Sequence, residues 1–467
     1  MTRKFQIKAV PSSWLENNGR RLDCGPYLSG AMEARELLRQ LRAGKTPLAE
    51  LTIGIFHAGR ESRQWVESEE HGVPFMGSTD VLASDLSGLP LISKKQVRAN
   101  PNFSIRAGWT LITRSGTIGR MAYARSDMDG IACSEHVIRV VPNEEKIRPG
   151  YLYSYLTSRF GVPIIVSGTY GAIIQHIEPH HIQDLPVPRL GELEERVHEL
   201  VELAAEKRVE ANRAIAEATE LMVSMAGLQR ISNNSLEGIP FGTNAVGSSS
   251  LLMRMDGAFH SSFHSEAVSL LEKAAVPLVT VSALSLSVIE PNRFKRIQID
   301  DPEFGVPLFG TSALMWSEPK PSYMIPKNMS GIDDLLVDQT TILIPRSGQI
   351  SGVIGTPVLP YGELIGGAVS EDAIRVKCAD ENVAGYVFVA LKSEYGRRQL
   401  KARAYGSSIP HLDVSQIKAV QIPDLGARGI EKIGALGVRS VRLRHEAIDY
   451  ENQARTLVER AIEEGGR

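Results

Sequence analysis

Between Leu86 and Ser126 the chain carries seven basic residues, Lys94, Lys95, Arg98, Arg106, Arg114, Arg120 and Arg125, and no acid. Lysine and arginine gathered without counter-charge suit a polyanion, because they replace the counterions on its phosphates. A shorter run, Lys392 to Arg403, sets Arg397, Arg398, Lys401 and Arg403 against the single acid Glu394. Two further stretches join them, Tyr170 to His176 and Tyr405 to His411, each with an aromatic-glycine start and a histidine at the same offset. Glycine permits a close backbone approach, tyrosine hydroxyls can bond phosphate, and Gln175 can pair with adenine. The same loops could instead be turns that dock a domain on a neighbouring helix. The paired turns Arg114-Ser115-Gly116 and Arg346-Ser347-Gly348 complete the set of candidate DNA contacts: Lys94, Lys95, Arg98, Arg114, Ser115, Arg120, Arg125, Tyr170, Gln175, His176, Arg346, Ser347, Arg397, Arg398, Lys401, Arg403, Tyr405 and His411.

Catalytic patterns are missing. Gly44-Lys45-Thr46 ends like a phosphate-binding loop, but Arg39 stands where its first glycine is required, so a helix C-terminal turn is expected. No two glycines are separated by one residue, which removes the Gly-x-Gly of dinucleotide sites and many methyl-donor sites. The absence of Pro-Pro excludes the Asn/Asp-Pro-Pro-aromatic motif of amino-methyltransferases. Glu318-Pro319-Lys320 has the Glu-x-Lys of a nuclease site without a convincing upstream Pro-Asp. His180-His181 has no equivalent further along the chain, which argues against metal ligation by His176, His180, His181 and His411.

The elements that position these residues occur twice. Tyr170-Gly171, Ile174, His176-Ile177, Ile182, Leu185, Pro188 and Leu190 recur at an offset of 235 as Tyr405-Gly406, Ile409, His411-Leu412, Ile417, Val420, Pro423 and Leu425. Gly72-Val73-Pro74 answers Gly305-Val306-Pro307, Ser134-Glu135 answers Ser370-Glu371, and Ile138-Arg139-Val140 answers Ile374-Arg375-Val376. The offset drifts only between 232 and 236, so one domain is used twice.

A long helix follows each copy. No glycine or proline falls between Glu192 and Ala226, and Leu193, Val197, Leu200, Ala204, Lys207, Ala211, Ala214, Ala218, Leu221 and Met225 step by four and three. The same series runs through Ile433, Leu436, Ser440, Leu443, Ala447, Tyr450, Ala454, Leu457 and Ala461. Such seams predict two helices packed on each other as an antiparallel coiled coil. Gly426, Gly429, Gly434 and Gly437 obscure where the second begins, and Val438 is its first secure residue. Nine glutamates against four basic residues make the first helix an acidic spacer for basic domains. Helices are also expected at Glu33–Arg42, Tyr151–Phe160 and Tyr386–Leu400, and strands at Trp109–Thr113, Ile118–Ala122, Ile342–Ile344 and Ile350–Ile354. The fold class is α+β. The expected divisions are an arm at 1–20, a domain at 21–190, a helix at 191–230, a flexible Ser/Asn/Gly-rich linker at 231–250, a second domain at 251–425 and a C-terminal helix at 426–467.

A net charge of −2, 43% hydrophobic and 23% charged residues describe an ordinary globular protein of 467 residues. Three scattered cysteines, no apolar signal region and no membrane-length apolar run lead us to expect a cytoplasmic protein.

The duplicated order of aromatic-Gly-x-x-Ile loop, Ile-to-Pro segment and long helix, at Tyr170–Pro188 and Tyr405–Pro423, resembles the specificity subunits of type I restriction–modification systems. The resemblance covers nearly the whole chain from Arg21. It implies two target recognition domains held apart on antiparallel helices, each reading one half of a split double-stranded DNA target. It also implies a subunit without catalysis or cofactor of its own. Two methyltransferase subunits would bring S-adenosylmethionine, and a motor-nuclease subunit ATP and Mg2+. Because the two domains differ in their middles, the half-sites should differ too. A related two-subunit restriction or phage-defence methyltransferase system is the nearest alternative. An unrecognised enzyme that dimerises through its helices is the reading from another class.

Overall fold

The computed structural model describes residues 7–17, 20, 22–167, 176–231, 243–251, 254–406 and 408–465. The chain divides into two compact units, 1–209 with 446–467 and 210–445. Both are α+β.

In the first unit a four-stranded sheet runs in the order Thr52–Phe56, Val137–Pro142, Thr110–Thr113, Met121–Tyr123, all antiparallel. Val137–Pro142 is buried along its whole length, as the central strand of a covered sheet must be. A second sheet orders Trp65–Val66, Leu91–Ser93, Gly72–Met76 and Ala132–Cys133, the last pair parallel. Lys45–Pro47 pairs with Pro186–Pro188 next to the long helix. The second unit repeats this plan: Ser287–Ile289, Ala373–Lys377 and Thr341–Pro345 form one sheet; Tyr323–Pro326, Gly305–Phe309 and Ala368–Val369 form another; and Leu278–Thr280 pairs with Gln421–Pro423. Even the single parallel pairing recurs, Leu308 with Ala368 answering Phe75 with Ala132.

The expected helices form at Ala31–Gln40, Pro149–Thr157 and Glu381–Lys392, the last followed after Ser393 by Glu394–Arg403. The first expected hairpin forms as Thr110–Thr113 and Met121–Tyr123. Its counterpart does not: Ile350–Ile354 is a series of turns, and Leu343 pairs with Val358 instead. Lys401 explains the difference, since its ammonium donates to the carbonyls of Ile350 and Gly352 and curls the chain there. Residues 232–242, the first half of the expected linker, lie outside the described residues.

The long helices span Leu193–Ala226 and Gly426–Glu463, so the second is helical from Gly426, through the glycines that precede Val438. Its glycines are contact points. A Cβ on Gly434 would stand 1.9 Å from the Asn382 carbonyl oxygen, and one on Gly437 2.7 Å from that of Gly385. On the first helix, buried Val197, Val201, Ala204, Arg208, Ala211, Ile215, Ala218 and Met222 step by four and three. On the second the series is Ile433, Gly437, Ser440, Arg444, Ala447, Glu451, Ala454 and Val458. Alternate positions therefore sit one residue later than the apolar pattern suggests, and Met225 is exposed. The polar member of the first seam is Arg208, not Lys207.

Contacts between the helices run in opposite directions. In the first unit Lys207 meets Glu446 at 3.0 Å, while Leu200 lines a groove with Thr456 and Leu457. In the second, Arg444 donates to Asn212 at 3.2 Å, and Met225 lies beside Gly429. Arg208 and Glu451 form a buried two-point ion pair whose second bond is 3.1 Å. Burial pushes the Glu451 carboxyl up, but Arg208, then Arg455 and Arg125, hold it below its ordinary value.

Removing one partner leaves a buried charge unmatched, which costs about 3–5 kcal/mol. Arg208→Met should lower the melting temperature accordingly, and Arg208→Met with Glu451→Leu should recover most of the loss. Because the Glu451 carboxyl titrates lower folded than unfolded, the wild-type contribution is present above the unfolded value. It is lost as pH falls below about 4.5 through the folded value, and pH-dependent melting of wild type against the double variant measures it. Parallel acid profiles for the two proteins would contradict this.

Candidate nucleic-acid interface

Each unit holds one polar cluster where the strand ends meet. In the first, a fully buried Arg139 donates to the carbonyls of Ser134 at 2.9 Å, Val137 at 2.6 Å, Phe103 at 3.2 Å and Cys133. Arg375 does the same in the second, on Ser370 at 3.0 Å, Ala373 and Val369. Burial lowers the pKa of both guanidinium groups, Arg375 to about 10. They fix the bend that carries Ser134-Glu135-His136 and Ser370-Glu371-Asp372.

The acid at each bend then holds an arginine from the loop after the first sheet strand. Arg63 meets Glu135 at 2.9 Å, and Arg296 meets Glu371 at 3.0 Å. Neither loop arginine was among the expected contacts. Both could have been found from the repeat alone, since residues 60 and 63 return as arginines at 293 and 296.

Arg114 is buried and bonds Glu178, the Ile177 carbonyl at 3.0 Å and the Glu135 carbonyl at 3.4 Å. His57 approaches the same Glu178 at 3.5 Å. Arg346 occupies the equivalent place, donating to the Leu412 carbonyl at 3.4 Å, but its acid is Glu290 at 2.9 Å. Glu290 is the counterpart of His57, so the acid has changed sides while the pair is kept. Ser347 bonds His411 Nδ1 at 2.8 Å, whereas Ser115 bonds His136 at 2.6 Å and His176 Nδ1 is buried without a partner among the described residues. Tyr405 closes its loop through reciprocal backbone bonds with His411 at 2.9 and 2.7 Å, and its hydroxyl reaches Asp413. Tyr170 and Gln175 lie outside the described residues.

The cations expected to face phosphate separate into two groups. Arg125 is buried against Asp127 at 2.9 Å, and Arg398 against Glu266 at 2.8 Å and the Phe263 ring. Arg403 donates to the carbonyls of Gln399 and Ala419, and burial, then Arg254, brings its pKa down to about 10. Lys401 is bound to carbonyls as above, Arg397 pairs with Glu394 at 2.6 Å, and Arg120 is half-buried. Lys94 donates to the Glu69 and Glu70 carbonyls, both at 2.8 Å, and its counterpart Lys327 does so to Pro302 and Glu303. Lys95 and Arg98, on the Lys94–Ala99 helix, are exposed and have no ion pair among the described residues. Arg60, Arg106, Arg293 and Lys295 share that state. Among the described residues no group of three His, Cys, Asp or Glu could hold a metal, and no helix is long and apolar enough to cross a membrane.

No protein-family model and no curated protein matches the chain. Among solved structures it is similar to the type I restriction–modification S subunit from M. genitalium, at 12% identity over 90% of this chain and 94% of that one, with a TM-score of 0.34. The HsdS subunit from Thermoanaerobacter tengcongensis aligns at 14% identity over 90% and 96% of the two chains, with a TM-score of 0.27. A structure described for complex assembly and conformational transition of the type I R-M system aligns at 14% over 91% and 98%, also at 0.27.

The two lysine states predict opposite phenotypes. Lys94→Met and Lys327→Met each remove carbonyl bonds at a turn and should cost roughly 1 kcal/mol of stability. Lys95→Ala and Arg98→Ala should leave the melting temperature unchanged. Each should flatten the salt dependence of DNA binding by about one unit of slope, the share of a single neutralised phosphate. Melting curves and salt titrations on the four variants check both.

Proposed function

We propose that the chain is the non-catalytic specificity subunit of a type I restriction–modification assembly. Each unit reads one half of an asymmetric, split double-stranded DNA target, and the chain positions two adenine methyltransferase subunits on it. A motor-nuclease subunit joins for restriction, and S-adenosylmethionine, ATP and Mg2+ belong to these partners. One observation carries the reading: the frame of paired arginines is the same in both units while the unpaired exposed side chains on it differ. Arg139 and Arg375, Arg63 and Arg296, and Arg114 and Arg346 keep their roles. Lys95 and Arg98 are replaced at the matching positions by Asn328 and Gly331. Two copies of one scaffold with different faces are what two different half-sites require.

The long helices serve as the ruler between the half-sites. Deleting the gene should abolish methylation at one split adenine motif, read by sequencing modified bases in the host. A heptad added to each helix, at Ala211 and at Ala447, adds about 10.5 Å of rise. It should widen the spacer by about three base pairs, at roughly 3.4 Å each, with both half-sites unchanged. A spacer that kept its length would remove the helices from that role.

A further inference from the structure

We propose that the loops 57–64 and 290–298 are the base-reading elements, with Arg60 reading one half-site and Arg293 the other. The inference rests on the DNA-specificity reading above and names the residues that carry it out.

Arg60 and Arg293 stand at the same place in the duplicated frame, four residues beyond the last residues of the strands Thr52–Phe56 and Ser287–Ile289. Both are exposed, and among the described residues neither has a hydrogen bond or ion pair. That separates them from the arginines three residues later, which are bound to Glu135 and Glu371. The bound arginine fixes the loop, and the free one projects from it.

The loops are held a second time, by different chemistry in each unit. In the first, Gln96 is buried, its amide accepting from Gln64 N at 3.0 Å and donating to the Ser62 carbonyl at 2.9 Å and to Glu61 at 3.3 Å. In the second, the positions of Glu61 and Gln96 are Phe294 and Met329, which pack into the apolar cluster of Val306, Leu308 and Ile325. A polar clamp and an apolar plug give the same result, a loop whose backbone is set before any ligand arrives. An arginine on such a loop loses little conformational freedom on binding, and its planar fork matches the O6 and N7 acceptors of guanine.

The surroundings of the two arginines differ in the way two readers should. Arg60 has exposed Gln64 and an exposed Trp65 nearby in the chain, the indole edge-on to Phe75 at 5.3 Å. Arg293 is flanked by exposed Asn292 and Lys295, with Ile297 and Gln298 following. Amide side chains at these places can pair with adenine edges beside the guanine.

The test uses the full chain in complex with its methyltransferase, with modified bases mapped in cells carrying each variant. Arg60→Ala should relax the motif at one base pair of one half-site, so that sites differing only there become methylated. Arg293→Ala should do so in the other half only. Preference for guanine over other bases at that position should fall roughly ten- to a hundredfold. Both variants should keep the wild-type melting temperature, because both side chains are exposed. Glu135→Gln, which releases Arg63, should relax the same base pair as Arg60→Ala, an effect that simple loss of stability would not focus on one position. An unchanged motif overturns the proposal, and so does uniform weakening on all sequences with a shallower salt slope, which marks a phosphate contact. Loss of the gene without loss of any methylation defeats the specificity reading itself, and the proposal with it.

Discussion

Everything at the candidate interface hangs on one buried cation in each unit. Arg139 and Arg375 point inward from central strands, and their Nη atoms gather carbonyls from the bend that precedes those strands. A guanidinium presents its donors in a fixed fork, so several carbonyls can be held at set angles without a direct ion pair to an acid. The desolvation this costs is visible in the lowered pKa of both groups. Hydrocarbon in the same place would remove a bond from each of these carbonyls, at about 1–3 kcal/mol for any left buried without another donor. With the bend fixed, Glu135 and Glu371 stand where Arg63 and Arg296 can reach them, and the loop that carries Arg60 or Arg293 is placed in turn.

Around that fixed point the two units solve equal problems with unequal residues. The acid for Arg114 comes from Glu178 after the aromatic-glycine loop, and that for Arg346 comes from Glu290 at the end of a strand. The loop clamp is Gln96 with Glu61 in one unit and Met329 with Phe294 in the other. Such exchanges are open to a protein only when the position of the backbone matters and the means of holding it do not. The exposed side chains are then released to differ.

Much of this organisation is legible in the sequence. The α+β plan follows from the strand and helix patterns, both long helices from their apolar steps of four and three, and the equivalence of Arg139 with Arg375 from the 232–236 offset. The fate of individual charges does not. The run from Leu86 to Ser126 contains no acid, yet Arg114 is neutralised by Glu178, 64 residues away, and Lys94 directs its charge at backbone carbonyls. Acid-free in sequence is not unpaired in space. The helix seams mislead for a related reason. Arg444 and Glu451 occupy seam positions, so an apolar count shifts to the neighbours Leu443 and Tyr450, while in the first helix the buried basic residue is Arg208, one place beyond Lys207. The hairpin expected at Ile350–Ile354 fails because Lys401, on a helix much later in the chain, ties those carbonyls into turns.

The glycines at the start of the second helix set how closely its domain can dock. In isolation each costs about 1 kcal/mol against alanine, and together they disguise the helix. In the fold they let the Glu381–Lys392 helix touch the long helix backbone to backbone, with a Cβ on Gly385 falling 2.3 Å from the Gly434 carbonyl oxygen. In the first unit Gly150 plays the part of Gly385, and a Cβ there would fall 2.9 Å from both His198 and Val201. Docking through glycine leaves little room for side-chain rearrangement between a domain and the helix it sits on. The helix propensity given up at Gly434 and Gly437 is the cost of that close contact.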